Sequence, residues 1–315
     1  MTDTTAPAKP QTMTVPPASL FKYFGPGGTR FFANWLVRFS QPAALNDPFE
    51  FSPHVRSWGT PDEEAVQAGE VWERRMEDAY GLQKPEFQRS VPFDAFLVAR
   101  RRFKAAEVLE ELARVRSTAY PEMAAGITEM ANAGVGALCL TENADNLLMW
   151  SHYSESHTGF LIELDTSDPF FTAIAPPAHV KADAAEFADF AAEYGRLRQV
   201  IYADERPEIV LTEMSFDVFL TKGTCWTYEQ EWRMFMPLSY SPATHHGPLV
   251  VPHPVWLWPL PKSAIRRVVA GARATPAVIN TLKRLKTDPS TEHIVVEQAQ
   301  VDPKHFRLNF GVPPN

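Results

Sequence analysis

Two carboxylates and a guanidinium stand two residues apart in the stretch TCWTYEQEWRMFMPL (residues 224–238): Glu229, Glu231 and Arg233. In an extended chain alternate side chains share a side, so all three would line one face of a strand. The plainest reading of such a triplet is a cross-strand ion pair on an exposed sheet, which contributes about 0–1 kcal/mol. Trp226, Tyr228 and Trp232 argue for something else. Aromatics beside carboxylates suit a partly desolvated cleft, where a carboxylate either has its pKa raised or needs a partner such as Arg233. We therefore expect a polar cleft on this face.

Four other stretches could form the opposite wall. LLMWSHYSESHTGF carries Trp150, His152 and Tyr153, of which His152 and Tyr153 could present polar edges, while Met149 and Trp150 also suit a core. His152 and His157 are five apart, not the four that puts two zinc ligands on one helix face, and no His-Glu-x-x-His occurs, so no metal site is expected. LCLTENADN ends a strand in Thr141 ahead of a helix, a place where backbone N–H groups hold an anion or simply accept a cap. LFKYF offers Lys22 and Tyr23. ALNDPFEF offers Asn46 and Asp47, whose simplest role before a proline is a turn.

The elements that would position these residues follow from periodicity. Residues 1–19, rich in Thr, Ala and Pro, read as a disordered tail. Strands are expected at 20–24 and 36–42, with a helical turn between them. Residues 61–133 carry 3.6-type spacing with polar stops, predicting a helical insertion over about 60–134, with Asp62 and Asp94 as caps. A buried strand at 135–142 precedes a short helix capped by Asn143 or Asp145. A strand at 157–165 with Gly159 near its start comes next. Then follow a helix over 182–200, a strand around 198–204, a helix over 210–222 and the strand bearing the carboxylates. SAIRRVVAGA, TPAVINTLKRLK and EHIVVEQAQ predict a C-terminal strand-helix-strand unit, with a last strand at HFRLNFG. The pattern implies an α+β fold around a mixed central sheet, in one domain from 20 to 315. His245 and His246, among Pro and Gly, read as surface loop.

Composition narrows the classes. The 315 residues are 45% hydrophobic and 22% charged, with 30 basic against 38 acidic side chains for a formal charge of −8, which gives no general nucleic-acid footprint. Two cysteines make neither a disulfide framework nor a metal knuckle and fit a reducing cytoplasm. The N-terminus lacks an apolar signal core and no run is long enough for a membrane span. Dinucleotide Gly-x-Gly-x-x-Gly, Walker, Gly-x-Ser-x-Gly and Cys-x-x-Cys motifs are missing from the sequence.

Taken in order, Asn46-Asp47-Pro48-Phe49, Met149-Trp150-Ser151-His152-Tyr153 with Gly159, and Lys222…Trp226…Tyr228-Glu229-Gln230-Glu231-Trp232-Arg233 resemble a bacterial family of uncharacterised proteins. That family is related to the abortive-infection protein AbiGi, and its members often lie near phage-defence genes. The resemblance runs over about residues 20–275. The order of elements also resembles that of ADP-ribosyltransferases, with Lys22 and Tyr23 on the first strand, Thr141 ending the second, and Glu231 on a late strand within a Glu-x-Glu. Lys-Tyr stands where that family usually has Arg or His, and Ser-Thr-Ser is missing. The resemblance implies NAD as substrate, with Glu231 on the ribose hydroxyl stabilising the oxocarbenium ion. It implies Glu229 orienting or deprotonating the acceptor, Tyr153 or Trp150 stacking on nicotinamide, and Lys22 meeting the diphosphate. Partners would be a protein or nucleic-acid acceptor and a cognate antitoxin or phage trigger. Two other classes compete: a metal-dependent nuclease or phosphodiesterase using Asp47, His152, Glu229 and Glu231, and a non-catalytic sensor of a nucleotide or phage product.

Overall fold

The computed structural model describes residues 14–172, 194–245 and 253–312. Among these residues the strands are β1 (Ser19–Phe24), β2 (Leu36–Phe39), β3 (His54–Ser57), β4 (Val135–Thr141), β5 (Phe160–Asp165), β6 (Leu197–Gln199), β7 (Ile201–Ala203) and β8 (Glu208–Val210). They continue as β9 (Thr221–Gly223), β10 (Glu231–Pro237), β11 (Ala243–His245), β12 (Val255–Pro259), β13 (Ile265–Ala270), β14 (Val295–Val301) and β15 (Leu308–Gly311). Eight of them form one sheet in the order β15-β14-β13-β5-β1-β4-β10-β6. The β13–β14 pair is parallel, across the helix Pro276–Arg284, and the other pairs are antiparallel. The fold is α+β with a mixed central sheet, and its C-terminal part is the expected strand-helix-strand.

Contacts divide the chain into two compact units. One takes the residues up to Glu50, Ala131–Asp204 and everything from Lys222 onward; the other takes Phe51–Met130 and Glu205–Thr221. In the first unit one sheet face carries Leu20, Ile162, Leu164, Leu138, Trp232 and Val268, and the β11-β12-β2 sheet packs Val37, Phe39 and Trp258 into the same core. The other face holds Tyr23, Leu161 and Val269 against Met149 and Trp150 of the helix Leu147–Tyr153. Gly159 lies where a Cβ would stand 1.9 Å from the Phe24 carbonyl oxygen, so only glycine lets β5 start this close to β1. Burial of these aliphatic and aromatic side chains is the main stabilising term.

The second unit contains the helices Pro61–Gly81, Pro85–Ser90, Phe93–Arg100 and Lys104–Met130 of a longer helix that runs to Gly134, with the parallel pair β3–β8. Thr60, not Asp62, caps the first helix, through a reciprocal box with Glu63. Pro92 occupies the cap position expected for Asp94. The last helix passes through Pro121, where two helices were expected; Ser117, whose carbonyl loses its partner to that proline, is exposed and can be hydrated.

Other expectations need correction. Asn146 caps the Leu147–Tyr153 helix, accepting from Leu148 N–H at 2.9 Å and Met149 N–H at 3.2 Å, in place of Asn143 or Asp145. Residues 182–193 of one expected helix lie outside the described residues, and its end at 197–199 is β6. Residues 210–222 are not one helix but two short 3-10 turns, Leu211–Glu213 and Phe216–Leu220. Ser215 starts a new turn by capping Asp217, so neither segment propagates. His245 ends β11 rather than sitting in a loop, and His246 lies outside the described residues, as does most of the tail, residues 1–13.

Candidate functional site

The residues that opened the sequence argument meet, but by a different route from the one alternation suggests. Thr224–Glu229 is a 3-10 turn, not a strand, and β10 starts at Glu231. Between them Gln230 adopts φ 42° and ψ 56°, a left-handed kink that non-glycine residues rarely take. The kink folds Glu229 back beside Glu231. Lys222 Nζ then reaches Glu229 Oε2 at 2.6 Å, Glu231 Oε2 at 3.1 Å and Glu50 Oε1 at 3.3 Å. Arg233 donates from Nε to Glu231 Oε1 at 2.8 Å and from Nη2 to Glu231 Oε2 at 2.9 Å, and its Nη2 also contacts Glu50. All five side chains are buried, so three carboxylates share two cations away from water.

The electrostatics separate the two central carboxylates. Burial alone would raise both. For Glu231, Arg233 and then Lys222 outweigh burial and hold it down to about 2. For Glu229, burial and the charge of Glu231 outweigh Lys222, and its pKa is raised. Burial pulls Lys222 down, but Glu231, Glu50 and Glu229 together push it well above the ordinary lysine value. Glu231 is thus fixed as an anion, while Glu229 is the member able to exchange a proton. Tyr153 Oη donates to Glu229 Oε1 at 2.5 Å and accepts from Asn46 Nδ2 at 3.2 Å. Burial and the Glu229 charge raise the Tyr153 phenol, which keeps it a donor.

These groups border a cavity of about 240 Å³. Its origin is a splayed seam: among the described residues β1 and β4 meet at one rung, Phe21–Thr141, and beyond it Ser40 takes up β4 at Ala137. Glu50, Glu229, Glu231, Lys222 and Tyr153 line one part, and Lys22, Tyr23, Asn46 and Thr141 line the rest. By alternation Lys22 belongs to the opposite sheet face from Phe21, yet Nζ reaches through the seam to the Cys139 carbonyl at 3.2 Å.

Several expected site residues take other places. Trp150 is fully buried and spends its Nε1–H on the Ala144 carbonyl at 2.8 Å, so it is a core residue and cannot stack on a ligand. His152 is exposed and outside the cavity wall, with its ring 6.5 Å from that of Tyr228. Asp47 closes its own turn by accepting from Phe49 N–H at 2.9 Å. Thr141 Oγ1 donates to the Glu229 carbonyl and accepts from Asn143 N–H at 3.0 Å, so it fixes the kink rather than offering a free hydroxyl. Tyr228 gives its carbonyl to Asn143 Nδ2 at 2.7 Å, and Trp226 lies with its ring 4.8 Å from Lys222 Nζ. Tyr23 borders the cavity but sends its hydroxyl to the Asn143 carbonyl at 2.8 Å.

Glu50 is the residue that sequence reasoning passed over. It stands two positions beyond the Asn-Asp-Pro turn, whose geometry delivers it to Lys222 and Arg233. Tyr202, which accepts from Glu231 N–H at 2.8 Å, carried no signal at all. Among the described residues no group of three or more His, Cys, Asp or Glu could hold a metal ion. The nuclease quartet does not assemble either, since Asp47 and His152 lie off the cavity that Glu229 and Glu231 share. No helix among the described residues is long and apolar enough to cross a membrane.

Comparison with known proteins returns one finding. No curated protein and no solved structure matches the chain. Residues 149–234 match a family described as a protein of unknown function, DUF2971, and that span takes in Tyr153, Lys222, Glu229, Glu231 and Arg233 while leaving Lys22, Asn46, Glu50 and Thr141 outside it.

Proposed function

We propose that this chain cleaves the nicotinamide–ribose bond of NAD and passes ADP-ribose to a macromolecular acceptor, as a cytoplasmic effector of phage defence. One observation carries the chemistry: two carboxylates of opposite protonation behaviour, Glu231 held ionised and Glu229 raised, border one cavity within reach of a single lysine. The defence setting, with a cognate antitoxin or phage trigger, rests on the sequence resemblance to abortive-infection proteins.

The two carboxylates have different work. As the C1′–N bond breaks, its electron pair leaves with nicotinamide and cancels the pyridinium charge. Positive character develops on the ribose ring, and the permanently anionic Glu231 stabilises it. An acceptor hydroxyl or amine then forms the new bond to C1′ and gives its proton to Glu229, whose raised pKa suits a general base. Tyr153 and Asn46 orient that carboxylate. The cavity of about 240 Å³ is smaller than the roughly 300–1,000 Å³ of sites that bury a whole drug-sized ligand. It therefore takes the nicotinamide–ribose end and leaves the adenosine outside.

The test is nicotinamide release. Purified protein is incubated with NAD, with and without cell lysate, and nicotinamide and ADP-ribose are quantified by mass spectrometry against Glu231→Gln. Release by the parent and not by the variant supports the reading, and dependence on lysate identifies a macromolecular acceptor. No release under either condition removes it.

A further inference from the structure

Lys222 and Tyr153 hold Glu229 by its side chain; a second set of hydrogen bonds holds the backbone that carries it. Three successive carbonyls of the turn each accept from a donor in residues 141–146. Asn143 Nδ2 donates to the Tyr228 carbonyl at 2.7 Å, and Asn146 Nδ2 to the same oxygen at 3.4 Å. Thr141 Oγ1 donates to the Glu229 carbonyl, and the Glu142 N–H to the Gln230 carbonyl at 3.2 Å. Asn143 is the hub of this clamp. Its N–H donates to Thr141 Oγ1 at 3.0 Å, and its carbonyl accepts from Tyr23 Oη at 2.8 Å. One residue thus ties together the turn, the end of β4 and a side chain of the cavity wall. The N–H groups of Glu142 and Asn143, which a bound anion would need, are spent on the clamp.

Two effects work against the kink. Left-handed backbone is costly for a glutamine, and a buried carboxylate regains hydration by swinging outward. The ion pair with Lys222 opposes this at the side chain, but it leaves the direction of the backbone open. We propose that Asn143, from outside the cavity wall, is a positioning residue of the site: with Thr141 it holds Tyr228–Gln230 in the kink that keeps Glu229 in the cavity beside Lys222. The inference is independent of NAD, since it concerns where Glu229 sits, whatever the group acts on. It also gives the Thr141–Asn146 segment a task that neither a helix cap nor an anion site describes.

The test follows the side-chain carboxyl carbon of Glu229 by NMR, assigned by its loss in Glu229→Gln, in the parent, Asn143→Ala, Thr141→Val and Thr141→Ser. In the parent Glu229 takes up its proton above the ordinary glutamate value of about 4.3. In Asn143→Ala and Thr141→Val the midpoint should fall toward that value, because a released Glu229 is hydrated. Thr141→Ser keeps the hydroxyl and should keep the parental midpoint. Glu231, held ionised by Arg233 with a pKa of about 2, should stay ionised over the same range in every variant. Adding Gln230→Gly to Asn143→Ala should move the Glu229 midpoint back, since glycine adopts the left-handed turn without strain. An unmoved midpoint in both Asn143→Ala and Thr141→Val overturns the proposal. So does a Glu231 that titrates along with Glu229, which would mean that the whole cluster has loosened. The parent alone gives a second readout. Its Glu142 N–H should exchange at least about tenfold more slowly than in the denatured chain, and an unprotected amide overturns the clamp even where the variants do not fold. The two readings fail separately. A moved Glu229 midpoint in a protein that releases no nicotinamide keeps the clamp and discards NAD; nicotinamide release with an unmoved midpoint keeps NAD and discards the clamp.

Discussion

One rung of the large sheet crosses two ion networks, and they differ in almost everything except residue type. Opposite partners run Arg267–Glu163–Phe21–Thr141–Glu231 across β13, β5, β1, β4 and β10, so all five side chains share a face. At the β13 end Arg267 pairs with Glu163 at 2.7 Å and Glu297 at 2.8 Å, its side chain 24% exposed. At the β10 end Arg233 pairs with Glu231 and Glu50 at 0% exposure, with Lys222 and Glu229 completing the group. The first is a cross-strand ladder of the kind that contributes little beyond register. In the second, desolvation costs more than a hydrophobic core would, and a buried ionic group of that sort is weak evidence for stability. A cavity opens beside the β10 network, which is the reason to seek function there.

The largest effect that separates the two ends is on stability. Arg233→Met strands Glu231 and Glu50 in the interior and should cost about 3–5 kcal/mol of unfolding free energy, whereas Arg267→Met should cost less, since Glu163 and Glu297 keep part of their exposure to water. Urea denaturation of both variants measures the contrast. Similar losses would mean that the β10 cluster is an ordinary ladder and that its burial carries no lesson.

The next effect is on chemistry. On the proposed chemistry Glu229→Gln keeps shape and removes the base, so ADP-ribose transfer should fall on the order of 10²-fold, while Glu163→Gln on the ladder leaves it unchanged. The pH profile sharpens this. A base must be deprotonated, so kcat/KM should fall as pH drops through the Glu229 pKa, which lies above the ordinary glutamate value of about 4.3. The Tyr153 hydrogen bond lowers that pKa, so Tyr153→Phe should move the acid limb to higher pH. A limb that stays in place assigns the proton to another group.

Glu231 predicts a smaller dependence, in stability, at lower pH. Its folded pKa of about 2 is below its unfolded value, so the stability it contributes is present above about pH 4.3 and is lost as pH falls through about 2. The difference in unfolding free energy between parent and Glu231→Gln should therefore narrow over that window. A difference constant from pH 5 to 2 would show that the Arg233 and Lys222 contacts do not hold Glu231 ionised.

How much of this could be read from the chain varies with the range of the interaction. The helical segment 61–134 and the C-terminal strand-helix-strand were legible because apolar periodicity is a local property. The proximity of Glu229, Glu231 and Arg233 was legible for a partly wrong reason. TCWTYE has strand-like composition, yet it coils into a 3-10 turn, and the left-handed residue that redirects it is Gln230, a type that gives no warning of φ > 0. Glu50 lies 183 residues from Arg233 in sequence, and no local pattern reports such a pairing. Trp150 reads as core from its own stretch and is core, packed against Tyr23 with ring centroids 5.1 Å apart; the stacking role implied by the ADP-ribosyltransferase resemblance is the part that fails.

The smallest effect uses a thiol as a reporter of the buried network. Cys139 faces Arg233 across β4 and β10 and borders the cavity half-buried, and desolvation, with the Glu231 charge beside it, raises its thiol well above the ordinary range. Cys225, in the 3-10 turn, is exposed. Only thiolate reacts with an alkylating or disulfide reagent, so at pH 8 the native protein should titrate as one fast thiol, and the denatured chain as two. In Arg267→Met the count should stay at one, because the ladder has no part in shielding Cys139. In Arg233→Met the raised dynamics around β10 should bring Cys139 into slow reaction at a rate set by local opening. Two fast thiols in the parent would mean that the Glu231 charge does not hold Cys139 protonated, and the contrast between the two ends of the rung would lose its electrostatic basis.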